Sequence, residues 1–246
     1  MKRSERHHLK ENELAAFVQR SRDVLTERRG QIVGGLVALV IVLAAILGYM
    51  TWRGRAEARA AVLLTDASTV LDAQVAAPPP ATPGQPAAKP PAGTYSSEQA
   101  KLEAALPKLA AVYTQYPSTD SGLAARYYAA NALAALGRRA EAESRYREVA
   151  DADQGGLYGE MARMGLADLL AGAGQHDRAI TIYKELSADP KAGLPVDGVL
   201  MQLGRVYTQA GRRSEAQQTY TRIVKEFPES LYAPEAKKAL ENLAGS

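Results

Sequence analysis

Leu200-Met201-Gln202-Leu203-Gly204-Arg205-Val206-Tyr207, followed by Gly211, Ala216, Tyr220 and Pro228, is the stretch on which the fold turns. Apolar residues recur at helical spacing on both sides of a polar, charge-rich break between Gly211 and Ala216, which describes two helices joined by a tight turn. Gly211 lies 37 residues beyond Gly174, and Gly174 lies 37 beyond Gly137. Ala142, Ala179 and Ala216, and Tyr146, Tyr183 and Tyr220, keep the same interval. A fixed period of that size marks a solenoid of helical hairpins. Gly ends the first helix of each pair, Ala lets the second pack closely, and Tyr fills the gap.

The order L-G, Y, G, A, aromatic, P within this stretch resembles the tetratricopeptide pattern, with a unit slightly longer than the usual repeat. Leu166-Ala167, Leu170, Gly174, Ala179 and Tyr183 keep that order, with Pro190 one place early. The copy with Leu133, Gly137, Ala142 and Tyr146 lacks a terminal proline and carries Asp153-Gln154-Gly155-Gly156 instead. Carried backwards, the register puts Ala105, Leu109 and Pro117 in a further second helix, expected over Ser97 to Tyr116. Its partner is expected over Ala56 to Val75, where Ala60, Val62, Leu63, Leu64, Val70 and Leu71 supply an apolar stripe. Pro107 conflicts with a helix interior and predicts a kink or a late start. Tyr232 to Leu243 reads as an amphipathic capping helix, with Pro234 suited to its first turn.

Gln31 to Trp52 carries no charge, and Leu36 to Leu47 holds only Leu, Val, Ile and Ala. About twenty helical residues cross a bilayer core, so one span is expected, with Tyr49 and Trp52 at an interface and Arg53 and Arg55 leaving it. The stretch exceeds a signal-peptide core of roughly 7–15 residues, and thirty residues precede it, so retention of the helix is expected. Eight Lys and Arg precede the span and three follow soon after it, which favours a cytosolic N-terminus. The net charge of +3 belongs to the first thirty residues. Residues 53–246 are neutral, which argues against a nucleic-acid partner.

Within Lys10 to Arg29, Leu14, Phe17, Val18, Val24 and Leu25 describe a short amphipathic helix. It has two readings, a membrane-surface element or a solubilising end. Ala76 to Tyr95 holds seven prolines and reads as an extended linker, neither helix nor sheet. The organisation is therefore 1–30 cytosolic, 31–53 transmembrane, 54–76 first solenoid helix, 77–95 Pro-rich linker and 96–246 repeat domain, an all-α chain. There is no Cys and no nucleotide-loop, metalloprotease or hydrolase motif. His7 and His8 are adjacent and His176 falls in a polar turn, where solvated side chains are expected. The chain reads as a non-enzyme without cofactor, metal site or small-molecule substrate.

The tetratricopeptide resemblance implies that the first helix of each hairpin lines a concave side. The matching positions are Ala124, Tyr127, Asn131 and Ala134; Met161, Met164, Asp168 and Ala171; and Gly198, Met201, Arg205 and Thr208. Tyr127, Asn131, Met161, Met164, Asp168, Met201 and Arg205 are the candidate groove. Met164 and Asp168 stand where carboxylate-gripping relatives use basic or amide side chains, so a carboxylate clamp is not expected. Tyr127, Met161, Met164 and Met201 form either a soft stripe suited to varied apolar segments or ordinary core filling.

The opening Met1-Lys2-Arg3-Ser4-Glu5-Arg6-His7-His8-Leu9-Lys10-Glu11-Asn12-Glu13-Leu14, the single span and the solenoid together resemble the YfgM-like ancillary subunits of the bacterial Sec translocon. The resemblance implies an inner-membrane protein with a periplasmic repeat domain that contacts SecYEG and a membrane-bound periplasmic chaperone. The Pro-rich insertion departs from that pattern. Tyr116-Pro117-Ser118 and Phe227-Pro228-Glu229-Ser230-Leu231-Tyr232-Ala233 also resemble periplasmic repeat proteins that coordinate envelope division or outer-membrane assembly. A membrane-tethered regulator acting through the N-terminal helix is the third reading.

Overall fold

A computed structural model describes residues 29–76, 91–188 and 193–245. The N-terminal amphipathic segment, His7 and His8, most of the Pro-rich linker and Pro190 lie outside the described residues. The chain divides into two compact units, Met1–Arg55 and Ala56–Ser246.

The described part of the first unit belongs to helix α1, Arg29–Leu71. Leu36, Val40, Ile41, Leu47 and Met50 are all exposed, and none of the described residues buries this apolar stretch. It is long and apolar enough to cross a membrane. The Tyr49 and Trp52 rings lie 6.1 Å apart at its polar end.

In the second unit, α1 continues from Ala56 and is followed by α2 (Glu98–Gln115), α3 (Asp120–Ala135), α4 (Arg139–Ala152), α5 (Leu157–Gly172), α6 (His176–Ala188), α7 (Val196–Gln209), α8 (Arg213–Glu226) and α9 (Ala233–Gly245). Each helix from α2 onward packs against the next. Ala142, Ala179 and Ala216 are fully buried, and Tyr146, Tyr183 and Tyr220 are at most 4% exposed. The repeat is therefore a packing unit, as the 37-residue period requires. Gly137, Gly174 and Gly211 adopt φ of 73°, 75° and 72°. At the first turn, the Arg138 amide donates to Leu133 O at 2.9 Å and the Gly137 amide donates to Ala134 O at 3.0 Å. That helix ending needs a left-handed residue, which glycine supplies without a Cβ penalty.

Upstream of the regular repeats, Ala60, Ala67 and Val70 of α1 share a core with Ala105, Leu109 and Val112 of α2 and with Ala125 and Ala129 of α3. The first hairpin thus closes across the Pro-rich insertion. The expected helix to Val75 ends instead at Leu71, and Gln74 and Val75 pair in parallel with Thr94 and Tyr95. The linker's last two residues are therefore strand, contrary to the expectation from proline content: the prolines stop at Pro91, whose carbonyl accepts the Thr94 amide at 3.1 Å, and Tyr95 O accepts the Ala76 amide at 2.9 Å.

Glu57 ties α1 to α3. Its carboxylate accepts the Asp120 amide at 2.8 Å, the Ser121 amide at 3.1 Å and the Ser121 hydroxyl at 2.5 Å. These are first-turn donors of α3 that have no partner within the helix, so the carboxylate acts as a cap from another element.

Helix α2 begins at Glu98, capped by the Ser97 hydroxyl accepting from the Ala100 amide at 3.1 Å, and runs through Pro107 without interruption. The expected late start is not found. Pro107 is exposed, so its ring meets solvent rather than a packed neighbour. Pro107→Ala is expected to stabilise the protein by about 1–3 kcal/mol. The check is a higher urea midpoint for the full chain in mild detergent; an unchanged midpoint would show that α2 already accommodates the ring at no cost.

At the far end, α9 occupies the place of a further first helix. One repeat beyond Leu200 and Gly204, it carries Lys237 and Glu241, both exposed. Polar side chains stand where a further second helix would pack, so the solenoid can stop.

Candidate functional site

The first helices α3, α5 and α7 meet in sequence, α3 against α5 and α5 against α7. Their shared face is built by the second helices behind it, through tyrosines that reach across each hairpin. The Tyr146 hydroxyl donates to Asn131 Oδ1 at 2.6 Å, and the Tyr183 hydroxyl donates to Asp168 Oδ1. Both donors lie 15 residues after their acceptors, so one repeat copies the other. Burial pushes both phenols well above their usual range, with the charge of Asp168 adding to each shift, so they remain donors. Close packing behind the face demands small residues. A Cβ on Gly165 would meet the Tyr146 ring at 2.7 Å, and one on Gly204 would meet the Tyr220 ring at 2.4 Å.

The third repeat breaks the pattern. Arg205 takes the place of Asn131 and Asp168 and cannot accept a hydrogen bond. The Tyr220 hydroxyl instead lies 3.4 Å from Thr208 Oγ1. Arg205 pairs with Glu235 of α9 at 2.7 Å and reaches Gln202 Oε1 at 3.3 Å.

Tyr127, Asn131, Met161, Met164 and Arg205 are half-buried and Asp168 is exposed. Met201 is 1% exposed and belongs to the core, so of its two readings core filling describes it. Its register equivalents Tyr127 and Met164 remain partly open. The difference has a visible source three residues earlier, where the Tyr232 ring lies 3.3 Å from the place of a Cβ on Gly198. The approach to α9 crosses the face there.

Tyr127 gathers an aromatic group, its ring 5.8 Å from Tyr128, 6.3 Å from Tyr146 and 6.0 Å from Tyr158. Desolvation holds Asp168's proton affinity above the ordinary aspartate range, outweighing the Tyr183 hydroxyl and the Arg205 charge that lower it. Because the residue is exposed, this shift carries little stability. It marks a carboxylate that its own chain leaves under-compensated.

His176 departs from expectation. It opens α6 half-buried, and its Nδ1 is covered without a hydrogen-bond partner among the described residues. Sequence reasoning also missed an opening of about 310 Å³ between α2 and α4, with Leu106, Tyr113, Leu133 and Arg145 among its lining. The signal was present in the register. Glu143, which binds Arg178 of the next hairpin at 3.1 Å, stands one repeat beyond Leu106. That ionic bridge is therefore missing from the first seam.

A family model for a tetratricopeptide repeat-like domain matches residues 28–244. No curated protein matches the chain. Among solved structures, the chain is similar to a tetratricopeptide repeat protein from Parabacteroides merdae, at 19% identity and a TM-score of 0.49, over 59% of this chain and 54% of that one. The chain thus spans about half the length of that structure. It is also similar to nearly identical TPR-like repeats of a Podosopora anserina protein, solved in two forms, each at 18% identity and a TM-score of 0.45, over 59% of this chain and 86% of that one.

Proposed function

Because the chain belongs to the tetratricopeptide repeat-like domain family, we propose that it is a membrane-anchored protein–protein interaction scaffold, an ancillary subunit of the Sec translocon that assists exported proteins in the periplasm. The observation that carries the scaffold reading is the face from Tyr127 to Arg205. It presents half-buried to exposed aromatic, thioether, amide and charged side chains, crossed only at its α7 end by Tyr232 and Glu235 among the described residues. Surfaces of that kind re-pack around varied apolar segments. Anchoring is supported by an apolar α1 stretch that the described residues leave unburied.

The excess of Lys and Arg before the span supports an inner-membrane topology with a cytosolic N-terminus and a periplasmic repeat domain. The order of parts, resembling the ancillary translocon subunits, supports SecYEG and a membrane-bound periplasmic chaperone as partners. Purification of the full chain from native envelopes in mild detergent, followed by identification of associated proteins, tests this reading. Recovery of Sec channel subunits is expected. Recovery of division or outer-membrane assembly factors, or of a cytosolic regulator, without any Sec component would replace it.

A further inference from the structure

Asn131, Asp168 and Arg205 occupy one place in three successive first helices, and their charges are neutral, negative and positive. The amide of Asn131 and the carboxylate of Asp168 each accept one tyrosine hydroxyl. For an amide oxygen that goes far towards satisfaction. An ionised carboxylate has about four acceptor positions, and one neutral donor leaves most of them open. The nearby cation, Arg205, is bound to Glu235 at 2.7 Å. Two carboxylates therefore lie near one guanidinium on this face, and Asp168 is the member with no ion pair among the described residues. Desolvation by the packed side chains around it, which raises its proton affinity, points the same way.

The surroundings of Asp168 are apolar. Met161, Met164 and Ala171 stand at −7, −4 and +3 on α5, one stripe of the helix, and all are half-buried. A ligand that matches both features must cover apolar surface and bring a positive charge to one point within it.

We propose that this face takes an extended apolar segment of another protein carrying a single lysine or arginine, its cationic head seated on the Asp168 carboxylate. The proposal rests on the docking reading above and names the chemistry of the guest. A guest with an acidic residue at that point meets the under-compensated Asp168 carboxylate and is rejected.

The test is fluorescence anisotropy with the full chain in detergent and a labelled, mostly Leu and Ala peptide bearing one central lysine. Parallel peptides carry norleucine or glutamate at that point. The lysine peptide should bind roughly ten- to a hundredfold more tightly than the norleucine peptide, as charge-assisted hydrogen bonds do, with the glutamate peptide weakest. Asp168→Asn should erase the lysine advantage, so that the variant binds the lysine and norleucine peptides equally. An asparagine accepts the Tyr183 hydroxyl as Asn131 accepts that of Tyr146, so the variant keeps the fold. Equal, saturable binding of the lysine and norleucine peptides would overturn the cation seat and leave the docking face standing. An absence of binding by all three would overturn the docking face and the cation seat together.

Discussion

Gly159→Ala should destabilise the repeat domain by about 3 kcal/mol, a large part of a typical domain's 5–15 kcal/mol. A Cβ at Gly159 would fall 1.9 Å from the Asp153 backbone oxygen, where no flexible side-chain end can move aside. The same corner shows why the repeat of Gly137 and Tyr146 dispenses with the proline that closes others. Asp153 turns its carboxylate onto the Gly159 amide at 3.0 Å, capping α5, while Gly155 takes φ of 74° and the Gly156 amide donates to Asp153 O at 3.0 Å. The Asp153-Gln154-Gly155-Gly156 run is thus a capping device, and Gly159 is the residue that lets it approach. For a domain of this size the loss corresponds to a fall of roughly 6–12 °C in Tm. Circular dichroism melting of the full chain in detergent measures it. A fall under about 2 °C, less than 1 kcal/mol, would mean that the α4–α5 corner yields readily.

The second large effect belongs to Tyr183→Ala. Tyr183 is fully buried between α5 and α6 and is the largest side chain in the core with essentially no exposure. Its removal should cost about 3–5 kcal/mol, through lost burial and an unfilled cavity. Tyr183→Phe separates the contributions, because it keeps the ring and removes only the donor to Asp168. The expected loss there is about 1 kcal/mol. Urea titration of the two variants beside the unaltered chain checks both values. A phenylalanine variant as unstable as the alanine variant would shift the weight from packing to the hydroxyl.

Why some features were legible in the sequence and others were not follows from how far apart the interacting residues lie. The turns at Gly137, Gly174 and Gly211 and the tyrosines at Tyr146, Tyr183 and Tyr220 are local or one hairpin apart, so a constant period exposes them. The cap helix was legible because its apolar residues keep helical spacing while charge replaces Leu200 and Gly204 of the preceding unit. Glu57 capping α3 was not legible, since its partners Asp120 and Ser121 are 63 and 64 residues away across an insertion that breaks the period.

The strand pair at Gln74–Val75 and Thr94–Tyr95 was hidden for another reason. Two-residue strands have no periodicity, and proline content masked the linker's last residues. On the docking face, register identified which side chains share a side of their helices but not how deep each one sits. Tyr127, Met164 and Met201 are equivalent by spacing, yet only Met201 is closed off, near where Tyr232 crosses α7 on the way to α9. The polarity of Asp168 was visible from sequence; its single hydrogen bond from Tyr183, and the commitment of Arg205 to Glu235, required coordinates.

The claim on which the rest depends is that a membrane-anchored solenoid offers the first-helix face of α3, α5 and α7 to other proteins. It is tested most directly by a photo-crosslinking residue placed in intact cells at Met164, on that face, and in a second strain at Lys184, exposed on α6. Irradiation should join the Met164 position to Sec channel subunits or to exported chains in the membrane fraction, with no such adducts from Lys184. Adducts of equal yield and identity from both positions, or none from Met164 in a folded, membrane-bound protein, would contradict the account.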